Sequence, residues 1–145
     1  MTATVREALP GDADAVERLL DAAMLEFDRA EVRVRIGRGS ALVAAVADDG
    51  AGGERVVGVC VFRERDGDVA GVGDADGPVT EIEHVAVHRS RRGRGIGRDL
   101  VEGVSERTEG ALIARFPEPV RPFYEALGFE IREGGSEKRL LGVRD

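Results

Sequence analysis

Residues 80–100 read TEIEHVAVHRSRRGRGIGRDL, and they contain the most informative pattern of the chain. Its first part, Thr80–Val87, alternates and is rich in β-branched residues, which predicts a strand. A basic loop with three glycines follows, and from Ile96 onward apolar residues recur at helical spacing. The succession of a strand, a glycine-rich turn and a helix N-terminus predicts a binding site for phosphate.

The chemistry of this loop suits an anion. Glycines let the backbone approach the ligand, while the unpaired N–H groups and the dipole of the first helical turn favour negative charge. Four arginines add positive charge at the same place: Arg91, Arg92, Arg94 and Arg98. We therefore expect a phosphorylated ligand here, and a basic surface loop without a ligand is the plainer alternative.

Two common nucleotide sites do not fit the loop. A Walker A motif needs Gly-Lys-Ser/Thr, and the only lysine of the chain is Lys138. A dinucleotide fingerprint needs Gly-x-Gly-x-x-Gly early in a βαβ unit, whereas these glycines stand at positions 93, 95 and 97. A nucleotide-binding module is therefore disfavoured.

The hexapeptide Arg92–Gly97 resembles the Gln/Arg-x-x-Gly-x-Gly/Ala signature of the GNAT N-acetyltransferase superfamily. The strand EIEHVAV before it and the segment Phe123–Phe129, FYEALGF, resemble the same family in the expected order. The resemblance implies an α/β GNAT fold, in which a central mixed sheet of six to seven strands is flanked by about four helices. It also implies a single domain over residues 1–145.

Acetyl-CoA is the cofactor that the resemblance implies. Carried over by position, the residues around its pyrophosphate are Arg92, Gly93, Arg94, Gly95, Ile96, Gly97 and Arg98. The pantetheine amides would pair with the main chain of Val85, Ala86 and Val87, and the Val85 N–H would stabilise the thioester oxygen. Core packing is the plainer role of the valine side chains, and it is compatible with this main-chain role.

The resemblance also implies candidates for proton transfer. Tyr124 occupies the position of the tyrosine that protonates the departing thiolate, and simple packing is its alternative role. Glu81 and Glu83 share one face of a regular strand and stand where family members place a base or a water relay. We favour Glu83, with Glu81 next, and two close carboxylates could raise the pKa of one of them. His84, on the opposite face of an ideal strand, is expected to be structural.

One position departs from the family pattern. Many members carry an asparagine after the fifth strand that bonds to the cofactor or a bridging water, and here this position is Pro117, which has no donor. The start of the Tyr124 helix is therefore expected to be unusual.

The leading interpretation is an N-acetyltransferase that moves the acetyl group of acetyl-CoA to a primary amine by direct attack in a ternary complex. The acceptor would be a small molecule or a peptide. Acidic residues would suit a cationic acceptor, whereas Arg33, Arg35 and Arg38 could hold an acceptor carboxylate, and both alternatives stay open. The alternative function is a non-catalytic acyl-CoA-binding sensor on the same fold.

Composition and charge disfavour several other classes of protein. A net charge of −7 and an aromatic content of 4% disfavour nucleic-acid binding. No run approaches the roughly 20 apolar residues of a membrane span, and we see no signal peptide, so a cytoplasmic protein is expected. Cys60, the only cysteine, is expected to be buried, and no metal site is expected. A homodimer through edge strands is plausible.

Periodicity predicts the other elements. A strand is expected over Thr2–Ala8, and a helix from about Ala13 to Phe27. The segment Asp28–Gly39 stays ambiguous between a strand, a helix and a loop. Further strands are expected over Ser40–Ala47, Arg55–Arg63, Ala111–Phe116 and the last two apolar segments, and a short helix through Leu127 should be capped by Gly128.

Overall fold

The structure is a computed structural model that describes residues 3–48, 53–65, 78–133 and 139–144. The described residues form seven β-strands and four α-helices. The strands are β1 Thr4–Glu7, β2 Ala41–Asp48, β3 Gly53–Arg65, β4 Val79–Val87, β5 Ala111–Pro117, β6 Glu130–Glu133 and β7 Arg139–Arg144. The helices are α1 Ala13–Ala22, α2 Arg29–Gly37, α3 Ile96–Glu106 and α4 Arg121–Ala126.

The strands form one mixed sheet in the order β1-β2-β3-β4-β5-β7-β6. Parallel pairing joins β4 to β5, where Val79–Ile82 lies beside Ala111–Ala114, and β1-β2, β2-β3, β5-β7 and β6-β7 are antiparallel. The predicted mixed sheet of six to seven strands with about four helices is confirmed.

The chain divides into two compact units. The first unit comprises Met1–Phe62 and His84–Glu106, and the second comprises Arg63–Glu83 and Arg107–Asp145. A single domain over residues 1–145 stays a prediction. Residues 49–52, between β2 and β3, and residues 66–77, between β3 and β4, lie outside the described residues.

In the first unit, α1 and α2 bury their apolar faces against β2 and β3. Val16 and Leu20 of α1 are fully buried in one cluster with Val43 of β2 and Val59 of β3. The prediction that α1 reaches Phe27 is wrong, because the helix ends at Ala22. Met24 follows with a φ of 60°, a left-handed conformation that cannot continue a right-handed helix.

The ambiguous segment Asp28–Gly39 forms α2, and local capping explains the choice. The carboxylate of Asp28 accepts hydrogen bonds from the N–H groups of Ala30 (2.9 Å) and Glu31 (3.2 Å). Val32 and Ile36, four residues apart, are buried together in the core of this unit. The helix cap and the burial of Val32 and Ile36 on one helix face therefore outweigh the alternating pattern, and the segment forms a helix.

Ion pairs also fix α2 against α1. The buried Glu17 of α1 lies 2.7 Å from guanidinium nitrogens of both Arg29 and Arg33. Arg35 lies 3.1 Å from Glu31 one turn earlier. These contacts use Arg33 and Arg35, two of the arginines considered for an acceptor carboxylate, within the first unit itself.

The second unit has its own small core. Val79 of β4, Ile113 of β5, and Leu141 and Val143 of β7 are buried together. The helix α4 leads into β6 through Gly128, whose φ of 86° confirms the predicted left-handed cap. No helix in the described ranges is long and apolar enough to cross a membrane.

Candidate functional site

The glycine loop has the backbone shape that the sequence predicts. Gly93 and Gly95 have φ values of 77° and 80°, a region that favours glycine. Apart from the adjoining residues of the chain, no atom of the described residues lies within 4 Å of the point where a Cβ would stand at either position. The backbone of the loop therefore borders open space, as contact between main chain and a ligand requires.

Short hydrogen bonds hold the entry to this loop. The ring Nδ1 of His88 lies 2.7 Å from the Ser90 hydroxyl and accepts from the Ser90 N–H at 3.2 Å. The Nε of Arg92 donates to the carbonyl of Val87 at 3.2 Å, which ties the loop to the end of β4. His88 therefore helps to fix the entry to the loop, and Arg92 has a positioning contact besides its positive charge.

Helix α3 begins directly after the loop. The Asp99 N–H donates to the Gly95 carbonyl at 2.9 Å, which forms the first helical turn. The N–H groups of Ile96, Gly97 and Arg98 precede the first bonds of the helix ladder and point outward from its N-terminus. The side chains of Arg92, Arg94 and Arg98 are exposed around them.

Gly58 of β3 sets how closely α3 approaches the sheet. A Cβ at Gly58 would lie 3.0 Å from a methyl group of Ile96 and 3.1 Å from one of Leu100. Ile96 is buried, so the helix is seated by its first residue. Sequence reasoning did not identify Gly58, because only the fold brings this strand position beneath α3.

The end of β4 lies beyond its pairing with β5. The pairing covers Val79–Ile82, whereas β4 continues to Val87. Ala86 is buried in the core of the first unit, and Val85 and Val87 are half-buried. The ring of His84 meets the ring of Phe27 edge-on at 6.4 Å, so His84 packs on the same side as Ala86.

Arginines surround the two candidate carboxylates within the second unit. Glu81 is 8% exposed, and its oxygens contact guanidinium nitrogens of Arg65, of Arg115 at 3.4 Å and of Arg63 at 3.5 Å. Glu83 is partly exposed, and one of its oxygens lies 3.7 Å from the Nε of Arg63. Both carboxylates therefore have at least one arginine beside them.

These three arginines were not predicted as site residues. Arg63 and Arg65 stand two positions apart on β3, so their side chains lie on the same face of the strand. On β5, Glu81 pairs with Ile113, and Arg115 stands two residues after Ile113. The alternation of side chains along a strand would have been enough to predict that Arg63 and Arg65 lie on the same face of β3. Only the pairing of β4 with β5 brings Arg115 to the same carboxylate.

Tyr124 lies in an aromatic cluster of the second unit. It is buried, stacks on Phe116 of β5 with ring centroids 4.4 Å apart, and meets Phe123 and Phe129 edge-on at 5.0 and 5.2 Å. Offset stacking and edge contacts are the arrangements that aromatic quadrupoles favour. The ring is thereby fixed in position, whatever role its hydroxyl has.

Pro117 changes the route into α4, as expected. It ends β5 with φ −76° and ψ 158°, and a 3-10 turn, Glu118–Val120, separates it from α4. Pro122 occupies the first turn of α4, where its missing N–H has no cost. In this chain a tight turn therefore links Pro117 to α4.

Cys60 and the acidic residues provide no alternative site in the described ranges. Cys60 is fully buried, and burial raises the pKa of its thiol to about 12, so the thiolate required of a nucleophile is not formed at neutral pH. The described residues contain no group of three or more His, Cys, Asp or Glu side chains that could hold a metal ion.

Comparisons with known proteins agree with this architecture. A family model described as an acetyltransferase (GNAT) domain matches residues 37–131. No curated protein sequence gives a significant match. Solved structures resemble nearly the whole chain in fold, at sequence identities that show the fold alone.

Two of these structures illustrate the similarity. Arabidopsis thaliana NAA60, solved in complex with acetyl-CoA, has a TM-score of 0.82 and 15% identity, and the match covers 99% of each chain. A polyamine N-acetyltransferase of Drosophila melanogaster, described as forming N-acetylagmatine, has a TM-score of 0.76 and 13% identity, covering 98% of this chain and 99% of that one. With the family match spanning well over half of its residues, this chain belongs to the GNAT acetyltransferase family.

Proposed function

We propose that this protein is an N-acetyltransferase that transfers the acetyl group of acetyl-CoA to a primary amine of a small molecule or a peptide, by direct attack in a ternary complex. The observation that carries the proposal is the open, left-handed glycine loop at the N-terminus of α3, within a chain of the GNAT family. A cytoplasmic location is the matching expectation from composition.

The loop residues fit the pyrophosphate of acetyl-CoA. Gly93 and Gly95 leave room for main-chain approach, the first turn of α3 presents N–H groups, and Arg92, Arg94 and Arg98 supply positive charge. The main chain of Val85, Ala86 and Val87 would pair with the pantetheine amides. A similar fold solved with acetyl-CoA bound supports acetyl-CoA as the cofactor.

The proton transfers are assigned to the second unit. Acetyl-CoA, when bound, supplies a thioester whose C–S bond is replaced by an amide C–N bond. A carboxylate oxygen of Glu83 would take the proton that the acceptor ammonium must lose, directly or through water. The Tyr124 hydroxyl would donate a proton to the departing sulfur. Glu83 is preferred to Glu81 because arginines engage both oxygens of Glu81, and Glu83 is the more exposed.

The first experiment measures the melting temperature of the protein with and without acetyl-CoA. Ligand at about 100 times its dissociation constant should add roughly 2.7 kcal/mol, which raises Tm by several degrees. Gly95→Val should abolish the shift, because valine is strained at a φ of 80° and would place its side chain in the ligand space. Gly37→Ala is the matched control, since it also adds a side chain into open space but has no left-handed φ.

Absence of a shift in folded wild-type protein would overturn the proposal. A shift without acetylation of any amine in a broad panel would favour the non-catalytic sensor. In that case Glu83→Gln and Tyr124→Phe should leave acetyl-CoA binding unchanged. In an enzyme, the same substitutions should lower turnover while binding persists.

A further inference from the structure

Three arginines converge on one buried carboxylate in the second unit. Arg65 donates to Oε1 of Glu81, Arg115 donates to Oε2 at 3.4 Å, and Arg63 lies 3.5 Å from Oε1. We call Arg63, Arg65 and Arg115 the arginine triad. Its members belong to β3 and β5, which flank β4 in the sheet.

Among the described residues, the arginine triad carries more positive charge than its partners neutralise. Its three guanidinium groups face two carboxylates there, those of Glu81 and Glu83. Within this described set one positive charge is left over, in a protein whose overall charge is −7. An excess of one sign at a partly desolvated site attracts a ligand of the opposite sign.

The triad also has spare hydrogen-bonding capacity. Each guanidinium has five N–H donors, whereas the contacts to Glu81 use one nitrogen of Arg65 and one of Arg115. The side chains of Arg63, Arg65 and Arg115 are 40%, 28% and 29% exposed, so solvent reaches all three. The buried Nε of Arg63 has no hydrogen-bond partner among the described residues.

We propose that the arginine triad binds a carboxylate group of the acceptor, so that the enzyme acetylates amines that carry a carboxylate on the same small molecule. This inference rests on the proposed function. Guanidinium groups present paired donors that match a carboxylate, and a planar two-oxygen anion uses them more fully than a single point charge does.

The position of Arg63 relates this subsite to the proposed base. Arg63 contacts Glu81 through one terminal nitrogen and lies 3.7 Å from Glu83 through its Nε. A carboxylate bound by the triad therefore lies close to Glu83, the residue proposed to accept the proton of the amine. Free amino acids have this short separation between amine and carboxylate, and simple polyamines lack the carboxylate.

The test compares matched acceptors. For each amino acid of a broad panel, kcat/KM is measured for the acid, its carboxamide and its decarboxylated amine, and binding to the CoA-saturated protein is measured by calorimetry. At least one acid should exceed its carboxamide by about tenfold or more, the scale of one charge-assisted hydrogen bond. Arg115→Gln should bring that ratio to within about threefold, and Arg115→Lys should retain part of it.

Controls separate recognition from folding. Arg55→Gln removes an exposed arginine elsewhere on β3 and should leave the ratio unchanged. A purely structural role of Arg115 would lower Tm and slow acid and carboxamide equally, and Arg65→Gln provides a second, independent variant. The inference is wrong if no acid binds or reacts better than its carboxamide. Failure of the wild-type protein to bind acetyl-CoA would instead overturn the proposed function.

Discussion

The ring of Tyr124 stacks on the ring of Phe116, with centroids 4.4 Å apart and an angle of 21° between the planes. This contact joins the short helix α4 to β5 and determines where the tyrosine hydroxyl can lie. It also makes a sharp test possible, because phenylalanine keeps the ring and loses only the hydroxyl.

Tyr124→Phe should lower kcat by about a hundredfold or more, the usual contribution of a positioned general acid. The unfolding free energy should fall by no more than about 1.5 kcal/mol, since the stacked ring is retained. Steady-state kinetics and urea unfolding of the same sample measure both quantities. An unchanged kcat would show that Tyr124 acts by packing alone. Tyr124→Ala, which empties the aromatic cluster, should cost roughly 3–5 kcal/mol.

Glu83→Gln should impair catalysis, whereas Glu81→Gln should mainly impair stability. Glu83→Gln should lower kcat about a hundredfold or more with little change in stability, because it removes the proposed base from a partly exposed site. Glu81→Gln should lower the unfolding free energy by about 1–3 kcal/mol, because three partly exposed guanidinium groups lose their shared anion. Kinetics over a range of pH and denaturant titrations distinguish the two. If Glu81→Gln instead abolishes turnover in a stable protein, Glu81 is the base.

Two glycines with similar backbone angles should tolerate alanine differently. Gly110 and Gly128 have φ values of 93° and 86°. A Cβ at Gly110 would lie 2.2 Å from the carbonyl oxygen of Pro78, whereas at Gly128 it would meet no described atom within 4 Å beyond the adjoining residues. Gly128→Ala should therefore cost only the strain of a left-handed alanine, about 1–2 kcal/mol.

Gly110→Ala should cost several times more or prevent folding, because the backbone of Pro78 must also move. Thermal unfolding of both variants, with Gly37→Ala as the control, measures the difference. If Gly110→Ala and Gly128→Ala lower the stability equally, the close approach of Gly110 to Pro78 does not contribute to the cost of the substitution.

Because Cys60 is buried, we expect the unfolding free energy to fall as the pH rises above 9. Burial raises the pKa of its thiol from 9.0 to about 12, so above pH 9 the unfolded chain loses this proton while the folded protein keeps it. The folded state then binds more protons, and this residue lowers the unfolding free energy by about 1.4 kcal/mol per pH unit between those values.

The unfolding free energy of Cys60→Ala should therefore depend less on pH than that of the wild type. Denaturant unfolding at pH 8 to 11 measures this difference. Thiol labelling of native protein at pH 8 should proceed only at the rate of unfolding. Rapid labelling of folded protein would contradict the burial of Cys60.

The sequence predicted the organising element because its signals are local. Alternation in β4, glycines that require left-handed φ at positions 93 and 95, and an apolar face in α3 each act within a few residues. The same holds for Gly128, whose capping role depends only on the end of its own helix. Family resemblance then supplied the order of strands and helices.

Local signals failed where two of them competed. The segment after Asp28 alternates like a strand, but its cap and the burial of Val32 and Ile36 against the sheet select a helix. The early end of α1 likewise has no strong local signal, since methionine rarely adopts the left-handed conformation that stops the helix at Met24.

The glycine loop, the helix that follows it and the family could all be predicted from the sequence, because the backbone conformation of a phosphate loop depends on consecutive residues. The surroundings of Glu81 became known only from the folded structure. Arg63, Arg65 and Arg115 reach it from two other strands, and the register that aligns them depends on strand pairing across long stretches of chain. Electrostatic partnerships of this kind are set by distance in space, which no pattern of neighbouring residues encodes.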